Sequence, residues 1–94
     1  MRPSEALAKH REEVLEILAR YPVSNPRVFG SAARGEDTEE SDLDLLVERV
    51  GPMSYFDLFT LEDELKSVLG CEVEVFTNLK PHVAASVAPE LRAL

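Results

Sequence analysis

The run Ser41 to Glu48, "SDLDLLVE", constrains the fold of this chain more than any other stretch. Read with period two, it puts Asp42 and Asp44 on one face and Leu43, Leu45 and Val47 on the other. A strand with one apolar face must be covered, and a cover stands nearby. Residues 54–69 carry Leu58, Leu61, Leu65, Val68 and Leu69 at helical spacing. Ser54 and Asp57 resemble a capping box, and Gly70 falls at the C-cap. "EVEVFT" (72–77) alternates as a further strand, and "RVF" (27–29) is a short one ending at Gly30. Leu7, Val14, Leu18 and Tyr21 predict an amphipathic helix over 4–20, stopped by Pro22 and Pro26, which form a short turn. "SAAR" (31–34) fits one helical turn, and Gly35 to Ser41 fits a polar loop. Residues 82–88 fit a short helix that Pro89 ends or kinks. The pattern predicts an α/β (α+β) fold: a small mixed three-stranded sheet with helices packed on it.

Ninety-four residues suggest one domain spanning 1–94, small enough to be marginally stable. The formal charge of −8 argues against direct nucleic-acid binding, which needs a basic face, and against an anionic membrane surface. Metal ions or a basic protein partner suit such a charge better. One cysteine, Cys71, excludes an intrachain disulfide and any multi-cysteine zinc site, which is compatible with the cytoplasm. No apolar run approaches the ~18 residues of a membrane span, and "MRPSEALAKHREE" is too charged for a signal peptide.

The chemistry concentrates between Phe29 and Glu48. Gly30 and Gly35 have the spacing of a phosphate loop, but Glu36 and Asp37 follow where Lys and Ser/Thr are required. A calcium loop fails as well, because Leu46 stands where an oxygen ligand is needed. Asp42 and Asp44, about 6.5 to 7 Å apart on one strand face, can flank a pair of divalent ions about 3.5 to 4 Å apart. Hard oxygen ligands favour magnesium, which then carries the positive charge that a polyphosphate needs. Ahead of them, Gly30 lets backbone approach phosphate closely, Ser31 adds a hydroxyl donor, and Arg34 offers a planar fork for phosphate oxygens. The alternation of "EVEVFT" makes Glu74 the better candidate for a third carboxylate, since Glu72 lies nearer the Gly70 turn.

Gly30-Ser31, ten residues and then Asp42-x-Asp44 on a strand resembles the polymerase-β-type nucleotidyltransferase superfamily. With Gly-Ser-x-Ala-Arg-Gly and Ser-Asp-x-Asp-Leu, the chain is most similar to the minimal nucleotidyltransferase family. The resemblance implies that Asp42, Asp44 and Glu74 ligate two Mg²⁺ ions and are catalytic. It further implies that Gly30 and Ser31 cradle the triphosphate of ATP, with Arg34 and Ser41 beside it. Many members have Asp where this chain has Glu74, so the longer side chain either reaches the same metal or weakens activation of the attacking hydroxyl. Members of the family often act as antitoxins to a HEPN-domain ribonuclease, and some transfer AMP from ATP to a tyrosine of that toxin.

Blander roles stand beside these. Arg34 could pair with Glu36 or Asp37 at the surface, and Glu74 could be an exposed strand residue. Glu36, Asp37, Glu39 and Glu40 read as a solvated loop, or as part of a surface for a basic partner. His10 and His82 read as structural or exposed, and Cys71 as a packed small residue. Tyr55, Phe56 and Phe59 read as core or partner-facing before they read as an adenine platform. The apolar C-terminal segment "VAASVAPELRAL" suggests surface buried against another chain, and with it a homo-oligomer. Three functions follow: AMP transfer to a toxin hydroxyl, neutralisation of a partner by occlusion alone, or transfer to a small-molecule hydroxyl.

Overall fold

In the computed structural model, which describes residues 1–94, the "SDLDLLVE" run forms strand β2 (Leu43–Arg49) at the heart of the sheet. Leu43, Leu45 and Val47 are wholly buried on one face, as the alternation requires. They meet α4 (Tyr55–Leu69), whose Leu61, Leu65 and Leu69 are buried. Side chains of this kind each contribute about 1.5–3 kcal/mol when taken fully out of water. Ser54 and Asp57 form the expected capping box: the Asp57 N–H donates to Ser54 Oγ at 3.1 Å, and the Ser54 N–H to Asp57 Oδ2 at 3.0 Å. Gly70 closes the helix at φ +70°, a left-handed conformation that suits glycine.

The predicted N-terminal helix divides at His10 into α1 (Pro3–Lys9) and α2 (Arg11–Ala19). The break lets α1 lean towards the 35–41 loop, where Asp37 binds Ser4. Meanwhile α2 packs Val14, Ile17 and Leu18 into the core beside α4. Tyr21 then donates a hydrogen bond to Glu64 and ties the end of α2 to α4.

Strand β1 (Val23–Phe29) is longer than "RVF". Pro26 does not end a turn but lies inside the strand, at a register shift between Ser24 and Arg27 where Asn25 adopts φ +50°. The bulge absorbs the residue that has no N–H to give to the ladder. β1 runs antiparallel to β2, and β2 runs parallel to β3 (Val73–Phe76). The helices α3 (Ser31–Arg34) and α5 (Pro81–Val87) complete the expected elements, and Pro89 sits in a 3-10 turn, Ala88–Glu90.

A fourth strand, β4 (Arg92–Ala93), pairs with Arg27 and Val28, giving the order β3-β2-β1-β4 where three strands were expected. Two residues are too few to show alternation, so only the pairing reveals it. The same pairing folds the C-terminal segment onto its own sheet. Leu94 is partly buried, and its N–H donates to the Pro26 carbonyl at 3.1 Å. At the opposite edge, Glu62 accepts the outward Val75 N–H at 2.8 Å and blunts β3 against further pairing. No helix is long and apolar enough to cross a membrane.

Candidate active site

The face of β2 opposite the core carries Asp44, and the sheet register sets its neighbours. Phe29 of β1 is its partner on one side and Glu74 of β3 on the other. Phe29 and Phe76 meet at 5.4 Å between ring centroids and give this side of the sheet an apolar floor. Asp42 lies exposed just ahead of the strand, and Glu74 is exposed on β3. Asp44 itself is half-buried. Burial is the main force pushing its carboxyl up to about 6, and the charges of Glu74, Asp42 and Glu90 add to it. No hydrogen-bond donor of the protein offsets the shift. A carboxylate kept from water and crowded by three others favours either a proton or a cation.

Gly30 follows β1 at φ +79°. A Cβ there would stand 2.6 Å from Asp44 Oδ2, so the close approach of backbone to carboxylate depends on glycine. Ser31 opens α3 at partial exposure. Arg34 has two carboxylate partners: Nε donates to Glu36 Oε1 at 3.0 Å, and Nη1 to Glu90 Oε2 at 2.9 Å. Its surface pairing with Glu36 is therefore present, and the fork is shared with a second acid. Ser41 is engaged in the turn before Asp42, where its hydroxyl accepts the Thr38 N–H at 2.9 Å.

Two acids depart from the expected pattern. Asp37, read as part of a solvated loop, is only 3% exposed. Its carboxylate accepts the Ser4 N–H at 2.8 Å and the Ser4 hydroxyl at 2.9 Å, and so caps α1 from 33 residues away. Glu90 was not singled out by the sequence at all. It accepts the Gly30 N–H at 2.9 Å and reaches Arg34, which places it at the site across 60 residues of chain. A lone Glu after Pro89 carries no local mark of such a contact.

The remaining candidates behave as their bland readings state. His10 pairs with Glu13, His82 is exposed, and burial pushes the partly buried Cys71 thiol up. Tyr55, Phe56 and Phe59 are not core: they are 82%, 78% and 60% exposed. Tyr55 and Phe59 border a groove of about 520 Å³ between α4 and β3 that Asp42 and Glu74 also line.

No three His, Cys, Asp or Glu side chains converge as a ready-made metal cage. The donor set nevertheless fits a hard divalent cation. It is all oxygen, Glu74, Asp42 and Glu90 lie near enough for their charges to act on Asp44, and Asp44 has no donor of its own.

A mixed sheet with Gly-Ser after its first strand and two aspartates at the start of the next defines the nucleotidyltransferase class of fold and site. The chain belongs to that family: the profile described as "Nucleotidyltransferase domain" matches residues 7–91. A candidate protein adenylyltransferase of Methanocaldococcus jannaschii, MJ1215, is 41% identical over 74 residues, covering 79% of this chain and 83% of that one. The protein adenylyltransferase MntA of Thermococcus cleftensis is 36% identical over 87 residues, covering 90% and 85%. Among solved structures, a candidate minimal nucleotidyltransferase superposes with TM-score 0.84 at 39% identity, over 97% of this chain and 95% of that one. A toxin–antitoxin complex, MntA–HpeT in a tyrosine-to-alanine form, shares the fold with TM-score 0.73 at 19% identity, over 89% and 70%. The chain is a nucleotidyltransferase of the minimal type.

Proposed function

We propose that this protein transfers AMP from ATP to a hydroxyl, a tyrosine, of a HEPN-type toxin in the cytoplasm, and thereby acts as its antitoxin. The observation that carries the reading is Asp44: half-buried, without a protein donor, crowded by Asp42 and Glu74, and in contact range of the Gly30 backbone. Relatives named as protein adenylyltransferases supply the transferred group, and the MntA–HpeT complex supplies the kind of partner. Asp42, Asp44 and Glu74 would hold two Mg²⁺ ions, which would supply positive charge to the triphosphate and acidify the acceptor hydroxyl.

The chain's own residues do the positioning. Gly30 admits phosphate close to the backbone, the Ser31 hydroxyl and Arg34 donate to its oxygens, and Ser41 fixes the turn that presents Asp42. The acceptor oxygen bonds to the α-phosphorus and the bond to pyrophosphate breaks. The hydroxyl proton passes to a carboxylate, the role this reading gives to Glu74.

A second reading is favoured by one observation. The exposed Tyr55 and Phe59 border the acidic groove and Phe56 is exposed on the same helix, as on a surface that binds and occludes a basic partner. The experiment separates the two. Purified protein, α-labelled ATP, Mg²⁺ and a HEPN-domain toxin are combined, with the Asp42→Asn/Asp44→Asn variant alongside. Label transferred by the wild type and absent with the variant supports transfer. A variant that still neutralises the toxin in cells shows that occlusion suffices.

A further inference from the structure

The nucleotide reading brings phosphate against the Gly30 backbone and the Arg34 guanidinium, and one carboxylate holds the N–H of the first and the fork of the second. Glu90 Oε1 accepts from Gly30 at 2.9 Å and Oε2 from Arg34 at 2.9 Å. Two oxygens of one anion bridging a backbone N–H and a guanidinium satisfy the same donors that two phosphate oxygens would. Arg34 and the Gly30 N–H in turn hold the Glu90 carboxyl below its ordinary range, so it is an anion at neutral pH.

A carboxylate is an expensive choice at this position. Its charge adds to the repulsion that Asp42 and Glu74 already exert on Asp44, in a chain of net charge −8. A neutral acceptor would brace Gly30 without that repulsion. The segment that carries Glu90 is also lightly attached. Neither α5 nor the 3-10 turn contains a buried residue, and β4 pairs through only two residues. Among residues 88–94 only Leu94, partly buried, packs against the core, so unlatching the segment gives up that one core contact.

We propose that Glu90 is a built-in stand-in for nucleotide phosphate: it occupies Gly30 and Arg34 until a triphosphate displaces it, and its release unlatches residues 88–94 from β1. The proposal rests on the nucleotide-site reading and adds a competing anion to it. Affinity for nucleotide is then reduced by the fraction of molecules in which the latch is closed.

The test is calorimetric titration of wild type and Glu90→Gln with Mg-ATP and, separately, with magnesium tripolyphosphate. Glutamine keeps an acceptor for Gly30 but removes the charge that competes for Arg34. Both ligands are expected to bind the variant roughly threefold to tenfold more tightly, and equally so, because the competition is for phosphate and not for base. Unchanged or weaker binding by a folded variant makes Glu90 a brace and overturns the proposal. Hydrogen exchange on the wild type gives a readout that needs no variant: Mg-ATP should lower protection of the Leu94 amide, whose N–H donates to the Pro26 carbonyl, relative to α4. Unchanged or increased protection at Leu94 contradicts it. If neither protein binds Mg-ATP, the nucleotide reading itself fails, whereas binding that tightens only in the variant upholds both.

Discussion

Asp37 and Asp44 stand seven residues apart on either side of the Thr38–Ser41 turn, and both are drawn out of water. Burial pushes the carboxyl of Asp37 up, but the Ser4 N–H and hydroxyl donate to it and Arg2 lies 3.9 Å away. The donors win, and its pKa falls below the ordinary value. Asp44 is less buried yet ends at about 6, because its neighbours are Glu74, Asp42 and Glu90 instead of donors. The protein completes one carboxylate itself and leaves the other for something positive to complete. The first holds α1 to the loop, and the second is the group to which the proposed function assigns the metal–nucleotide complex.

The largest test of that contrast is the Asp42→Asn/Asp44→Asn pair. Transfer should fall by at least ~100-fold, the scale of removing a group that stabilises developing charge. At pH 7.5 the Asp44→Asn protein should nevertheless melt at a higher temperature, since a repelled charge is gone. Activity and melting temperature falling together would put Asp44 in the same structural class as Asp37. Next in size, Asp37→Ala leaves the Ser4 N–H without its partner and should cost about 2–3 kcal/mol in urea unfolding. Nucleotide affinity per folded molecule should change far less, and a comparable loss of affinity would merge the two regions.

Gly30→Ala sharpens the boundary between them. It imposes strain of about 1–3 kcal/mol at φ +79° and ψ −158°, a backbone region kept essentially for glycine. It also sets a methyl 2.6 Å from Asp44 Oδ2, so Asp44 must shift. Titration with Mg-ATP should show weakening by roughly tenfold, and unaltered binding would mean that the approach of Gly30 to Asp44 is incidental.

The smallest effect is the dependence on pH. The folded pKa of Asp44 is raised from 3.8 to about 6, so its contribution is fully present below the unfolded value and is lost as pH rises through 6. The stability advantage of Asp44→Asn should therefore be absent near pH 3.5 and grow to on the order of 1 kcal/mol above pH 6, after allowance for solvent screening. Asp37 runs the other way. Its folded pKa is lowered, so the stability it adds is present above 3.8 and lost as pH falls through the folded value. Urea unfolding of both variants from pH 3 to 8 reads the two slopes.

What the sequence revealed was local. Period two in "SDLDLLVE" and "EVEVFT" set the strand faces, Ser54, Asp57 and Gly70 marked both ends of α4, and the Gly30-Ser31 to Asp42 spacing located the acidic site. What it hid was decided across the chain. Asp37 looks like Glu36, Glu39 and Glu40 until α1 folds back onto it. Glu90 is an ordinary acid until β4 returns its segment to Gly30. The bulge that keeps Pro26 inside β1, and the break at His10, likewise answer to pairing and docking that no single stretch encodes.

The most direct measurement is the titration of the Asp44 carboxyl carbon by NMR, with and without Mg²⁺. The account predicts a pKa near 6 without the ion, and a fall of at least about one unit at saturating Mg²⁺, because a bound cation reverses the effect of the neighbouring carboxylates. A midpoint that stays near 6 at every Mg²⁺ concentration would contradict the claim that this cluster is built to receive a metal ion.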